Sequence, residues 1–119
     1  MAKHDPDLDR LFHALSDPTR RGIVERLLAG PASVSDLAAP TGMALPTVMK
    51  HIAVLEQSGL VTSEKAGRTR ICRARPEPLD RARGWIEDQR RIWEARLDRL
   101  DDYVTRLMEE RAHGTRPQD

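Results

Sequence analysis

Between Ser33 and Gln57 two short apolar stripes flank a glycine-containing turn, and no other stretch of the chain narrows the possible folds as much. Val34, Leu37 and Ala38 share one face until Pro40 stops them. Thr41-Gly42-Met43 turns the chain, and Leu45, Val48, Ile52 and Leu55 then recur at helical spacing through Gln57. Ser33 and Asp36 stand three residues apart at the start, in the pattern of a capping box. Two helices meeting across a tight turn form a helix-turn-helix, whose second helix is short enough and exposed enough to enter a major groove.

The flanking segments extend this plan. Leu8, Leu11, Phe12 and Leu15 predict an amphipathic helix over 8–15. Asp17-Pro18 then caps and opens a second helix with Ile23, Val24, Leu27 and Leu28 inward, and Gly30-Pro31 stops it. After Ser58-Gly59, residues 60–64 and 68–74 read as two strands around Lys65-Ala66-Gly67, a small wing. Pro76 and Pro78 break the pattern, and residues 79–111 predict one long helix. Along it Trp93, Leu97, Leu100, Val104 and Leu107 step by 4, 3, 4 and 3, with Ile86 one heptad earlier and Arg90 interrupting.

Too little chain remains to cover so long a stripe, so burial against the same helix of a second copy is expected. The alternative is a helix folded back over its own domain. The expected fold class is therefore mainly α with a small β-hairpin: a winged helix-turn-helix whose long N- and C-terminal helices form a dimer interface. Leu8, Leu11, Phe12, Trp85, Trp93, Leu97, Leu100, Val104 and Leu107 are its candidate interface residues. At 119 residues the chain is the size of one domain, expected over 8–111 between a flexible N-terminus, 1–7, and a flexible tail, 112–119.

Charge narrows the function. The net charge is only +1, yet residues 45–75 hold Lys50, Lys65, Arg68, Arg70, Arg73 and Arg75 against Glu56 and Glu64, six bases against two acids. A local net of +4 suggests a polyanion partner; a merely solvated surface is the bland alternative. The four aromatics, Phe12, Trp85, Trp93 and Tyr103, all lie outside this stretch, which favours groove reading of a duplex over base stacking on a single strand. No HExxH, GxGxxG, P-loop or GxSxG pattern occurs, so no enzyme and no cofactor are expected. No apolar run is long enough for a bilayer and the start is polar, so the expected location is cytoplasmic and no membrane partner is expected. The single cysteine, Cys72, rules out an internal disulfide and agrees with a reducing compartment.

Three sequence pieces together resemble the winged helix-turn-helix repressors of the ArsR/SmtB type, over about residues 8–110. These are Leu15-Ser16-Asp17-Pro18-Thr19-Arg20-Arg21, then Leu45-Pro46-Thr47-Val48-Met49-Lys50-His51-Ile52 with Leu55-Glu56-Gln57-Ser58-Gly59-Leu60-Val61 behind it, and the Gly67-Arg68 wing. The resemblance implies a homodimer that binds an inverted-repeat operator in double-stranded DNA and represses its own or a neighbouring operon. Thr47, Lys50 and His51 would then contact bases, Leu45 and Met49 would meet thymine methyls, and Lys65, Arg68 and Arg70 would reach backbone or minor groove. Thr41 and Ser35 could contact phosphate or serve only as turn and cap. Two departures matter: Ala44 replaces a serine that many relatives place before the recognition helix, and Met49 replaces a small polar residue.

The same resemblance frames sensing. Many relatives hold metal with paired cysteines on the third helix, whereas Ser33-Val34-Ser35-Asp36-Leu37-Ala38 carries no thiol, so the chain is similar to a metal-independent branch and no metal site is expected. His113 with Glu109 and Glu110, and His4 with Asp5 and Asp7, are weak metal-compatible groups. His13 beside the first stripe reads as an interface residue. Cys72 reads as an apolar filler, with Arg70 and Arg73 leaving open a lowered pKa and redox sensing. Trp85 and Trp93 read as dimer core or as lining of a small-molecule pocket. The inducer is unassigned, and two alternatives stay open: a protein-interaction module built on the long helix, and a metal- or redox-responsive repressor with a non-standard site.

Overall fold

A computed structural model of the chain describes residues 5–114. Helix α1 spans Pro6–Leu15, two residues earlier than the apolar stripe predicts. The reason is a cap: the Asp5 carboxylate accepts from the backbone N–H of Asp7 and Leu8, at 3.1 and 3.2 Å. Pro6 fits the first turn, where a missing N–H costs nothing. Helix α2, Pro18–Leu28, repeats this chemistry with Asp17 accepting from Arg20 N–H at 3.0 Å. Helix α3, Val34–Ala38, is capped by Ser33 and runs into a 3-10 turn over Ala39–Thr41. Gly42 closes that turn at φ +67°, a conformation that side chains with a Cβ rarely adopt. Helix α4 then covers Leu45–Gln57, the predicted span.

The wing differs from the predicted one in detail. Strands β2, Val61–Ala66, and β3, Thr69–Ala74, pair antiparallel up to Ala66 opposite Thr69, so the loop is Gly67-Arg68 alone. Gly67 at φ +65° makes so tight a hairpin possible and leaves Arg68 at its tip. A third strand, β1, was not predicted. Ala32–Ser33 pair with Cys72 and Ile71, giving the order β1-β3-β2. Two residues are too few to show an alternating pattern.

The described chain forms two compact units, one through Arg83 and one from Gly84 onward. The first closes its own core. Leu11 and Ala14 of α1, Ile23, Val24 and Leu27 of α2, Val34 and Leu37 of α3, Val48, Ile52 and Leu55 of α4, and Leu60, Val61 and Cys72 of the wing are all buried, with no buried charge. Leu11, expected at a dimer interface, is instead 1% exposed within this core, because the α1 stripe turns it toward the chain's own helices while Phe12 stays 39% exposed. Leu8 is half-buried against the same core.

Helix α5 runs Glu77–Gly114, starting two residues before and ending three after the predicted span. Pro78 does not break it. A proline in the first turn removes only an N–H that has no intrahelical partner. Thirty-eight residues at about 1.5 Å each give the helix a length along its axis of about 57 Å. From Gly84 onward no described residue is buried. Ten apolar side chains from Trp85 to Met108 remain 41–66% exposed. At about 100° per residue they fall within an arc of about 160°, a single broad stripe.

Candidate nucleic-acid interface

The turn between α3 and α4 is held by its own side chains. The Thr41 hydroxyl donates to Ala38 carbonyl oxygen at 2.7 Å and accepts from Met43 N–H at 3.0 Å, so Thr41 serves the turn. Ser33 Oγ accepts from Asp36 N–H at 3.0 Å, the serine half of the predicted capping box. Ala44 gives α4 no side-chain cap, and Pro46 removes one donor from its first turn. The buried face of α4 is Val48, Ile52 and Leu55. Leu45, Pro46, Thr47, Met49, Lys50 and Ala53 are all exposed.

His51 does not join them. Its side chain is 18% exposed, with Nδ1 3.3 Å from an Arg20 guanidinium nitrogen and 3.8 Å from the Asp17 carboxylate. Arg20 also donates through Nε to Ala14 carbonyl oxygen at 2.8 Å and through its other terminal nitrogen to that of His13 at 3.0 Å. His51, expected to contact bases, is a half-buried member of a network tying α4 to the end of α1 and the start of α2. Arg20 has the reach for this: it donates to two carbonyls at the end of α1, of which that of His13 also accepts from the Ser16 N–H and hydroxyl, and presents a further N–H to the imidazole. Sequence reasoning missed Arg20, since only its local place beside the Asp17 cap was legible. The same network and the Arg20 N–H bond hold the Asp17 carboxyl below its ordinary pKa, the backbone hydrogen bond contributing most.

The wing adds cations beside α4. Lys65 and Arg70 sit directly opposite each other across the hairpin, both exposed. Like charges in that position disfavour the hairpin unless an anion lies against them. Arg70 donates to Ser63 Oγ at 2.9 Å and Ser63 donates to Glu56 of α4 at 3.1 Å, linking wing to helix. Between the two lies a notch of about 220 Å³ lined by Val34, Ser35, Leu45, Met49, Arg68, Thr69 and Arg70. The fold thus brings Leu45, Met49, Arg68 and Arg70 together, with Thr47 and Lys50 exposed on the same helix and Lys65 on the neighbouring strand.

Comparison with known proteins agrees with this geometry. Residues 15–64 match a family model described as a helix-turn-helix domain. The HTH-type transcriptional regulator Rv2034 of Mycobacterium tuberculosis is 40% identical over 85 residues, which are 71% of this chain and 77% of that protein. A crystal structure of an ArsR family transcriptional regulator superposes with a TM-score of 0.74 at 47% identity, over 79% of this chain and 97% of its own. The chain belongs to the ArsR family of helix-turn-helix transcriptional regulators. A further neighbour, a possible ArsR-family regulator from Mycobacterium bovis described as a homodimeric winged helix-turn-helix DNA-binding domain, is 26% identical with a TM-score of 0.58, over 73% of this chain and 87% of its own.

In this ArsR-family chain the positions considered for sensing are placed as follows. Cys72 is fully buried in β3, between its neighbours on β1 and β2. Burial pushes its thiol pKa up and Glu56 adds to that, while Arg70 opposes it without prevailing. The expectation that arginine neighbours lower that pKa is corrected: desolvation of the thiolate outweighs one partly solvated guanidinium. Among the described residues no three His, Cys, Asp or Glu side chains gather into a metal-holding group. His13 is exposed on α1, and His113 is exposed at the end of α5. His4 lies outside the described residues, so its grouping with Asp5 and Asp7 is not described. Among the described residues no helix is long and apolar enough to cross a membrane.

Proposed function

We propose that this regulator is a homodimeric repressor that binds an inverted-repeat operator in double-stranded DNA upstream of its own or a neighbouring operon. The observation that carries the reading is the cationic hairpin, Lys65, Arg68 and Arg70, set beside an α4 whose outer face is free of the core. Two α4 helices related by a dyad enter successive major grooves about 34 Å apart, and the wings reach minor groove or phosphate. Thr47 and Lys50 contact bases or phosphates; Arg68, Arg70 and Lys65 supply affinity with little sequence information. The dimer is supported by the α5 stripe. Its arc of about 160° leaves ten apolar side chains 41–66% exposed, a surface that a second copy can cover. Trp85, Trp93, Leu97, Leu100, Val104 and Leu107 form the core of that interface, and the Mycobacterium bovis neighbour, described as homodimeric, supports a dimer as such. Repression follows from occupying a promoter, inside the cytoplasm where such a promoter lies.

Salt titration of duplex binding tests the reading. With roughly six phosphates neutralised per dimer, log affinity against log salt falls with a slope of about −5. Arg68→Ala reduces the slope by about one for each wing and weakens all sequences alike. A flat salt response refutes duplex binding and promotes the protein-interaction reading of the long helix.

A further inference from the structure

The outer face of α4 is apolar where a base-reading helix usually carries hydrogen-bonding groups. Leu45 is 45% exposed and Met49 48%, and Pro46 and Ala53 are exposed beside them. The core does not need any of the four, because Val48, Ile52 and Leu55 fill it. His51 is held by Arg20, which leaves Thr47 and Lys50 as the exposed hydrogen-bonding side chains from Leu45 to Ala53. Leu45 and Met49 stand one helical turn apart and line the notch whose other wall is Arg68, Thr69 and Arg70. Exposed leucine and methionine flanked by arginines fit one feature of a duplex closely: the C5 methyl of thymine, which projects into the major groove between rows of phosphates. A G·C pair in the same place presents as many acceptors and donors as an A·T pair but no methyl group, so the apolar contact is the term that separates the two.

We propose that Leu45 and Met49 determine operator specificity by packing on thymine methyl groups, so that this regulator selects thymine steps by apolar contact while Lys50 and Arg68 supply the charge. The proposal rests on the duplex-binding reading and adds what each half-site must contain. It also gives Met49 a role that a small polar residue there could not perform. Each methyl contact is worth about fourfold in affinity, the equivalent of about 0.8 kcal/mol for one buried methylene.

The test starts from the duplex that the full chain enriches from a randomised pool. Each thymine of that duplex is then replaced singly by deoxyuridine, which deletes the methyl and keeps the base pair. One or two thymines per half-site should each weaken binding by about fourfold. Met49→Ala should bind the thymine duplex about fourfold more weakly and show no further loss with deoxyuridine at its matching position, with Leu45→Ala doing the same at the neighbouring one. Both residues are exposed, so unchanged circular dichroism certifies the fold. Equal binding of thymine and deoxyuridine duplexes at every position, with tight salt-dependent binding retained, overturns the proposal and leaves the duplex-binding reading standing. Absence of any salt-dependent duplex binding overturns both.

Discussion

The unit through Arg83 and the helix from Gly84 onward carry similar apolar stripes with opposite outcomes. In α4, Val48, Ile52 and Leu55 are 0–2% exposed; in the distal helix, Trp93, Leu97 and Leu100 are 46–61% exposed. Both patterns repeat every three or four residues, so periodicity alone does not separate them. The difference is supply: short helices connected by tight turns place several partner faces within reach of one another, whereas the distal helix, about 46 Å from Gly84 to Gly114, carries its stripe on a single element. A stripe is a demand for burial, and the described residues meet one demand internally and leave the other exposed.

The largest effect should come from breaking the internal core. Leu55→Ala removes a fully buried side chain and is expected to cost about 2–5 kcal/mol, read as a lower denaturation midpoint with operator affinity lost in parallel. Leu100→Glu makes the opposite cut. The unit through Arg83 should keep its folded spectrum, while sedimentation shows monomers and operator affinity falls by about a hundredfold, about 2.7 kcal/mol. An intact dimer after that substitution would refute the proposed interface.

A smaller effect sharpens how α4 is held. Arg20→Ala removes the guanidinium that joins the end of α1 to His51 and should cost on the order of 1.5 kcal/mol of stability, measured by denaturant unfolding. The smallest effect is acid-dependent. Asp17 has a lowered pKa in the folded chain, so its contribution is fully present above the ordinary carboxylate pKa of about 4 and is lost as pH falls through the lowered native value. Asp17→Asn should therefore flatten the acid side of the stability profile and leave the distal helix unaffected. A parallel acid loss in both proteins would reassign that limb to other carboxylates.

Much of the site was legible because it is local. The extent of α4, the Asp17 cap, the glycine turn at 42 and the cationic run at 65–70 follow from neighbours within a few residues. The expected members of the interface include one that is not available: Leu11 and Phe12 are adjacent in sequence, and only packing reveals that the first lies in the core while the second remains half exposed. His51 read as a base contact because it sits among exposed residues. Its partner Arg20 is 31 positions away, beyond any local signal.

The sequence by itself determined the helices, their caps, the hairpin and the presence of an uncovered stripe, since each depends on backbone sterics, side-chain-to-backbone bonds or spacing along one segment. Only the tertiary structure decided that Cys72 sits buried with a raised thiol pKa, that β1 exists, that His51 is tied inward and that Leu45 and Met49 line a notch with the wing arginines. Those outcomes depend on which distant residues meet, and the burial, pairing and desolvation that follow are properties of the contact rather than of either segment alone.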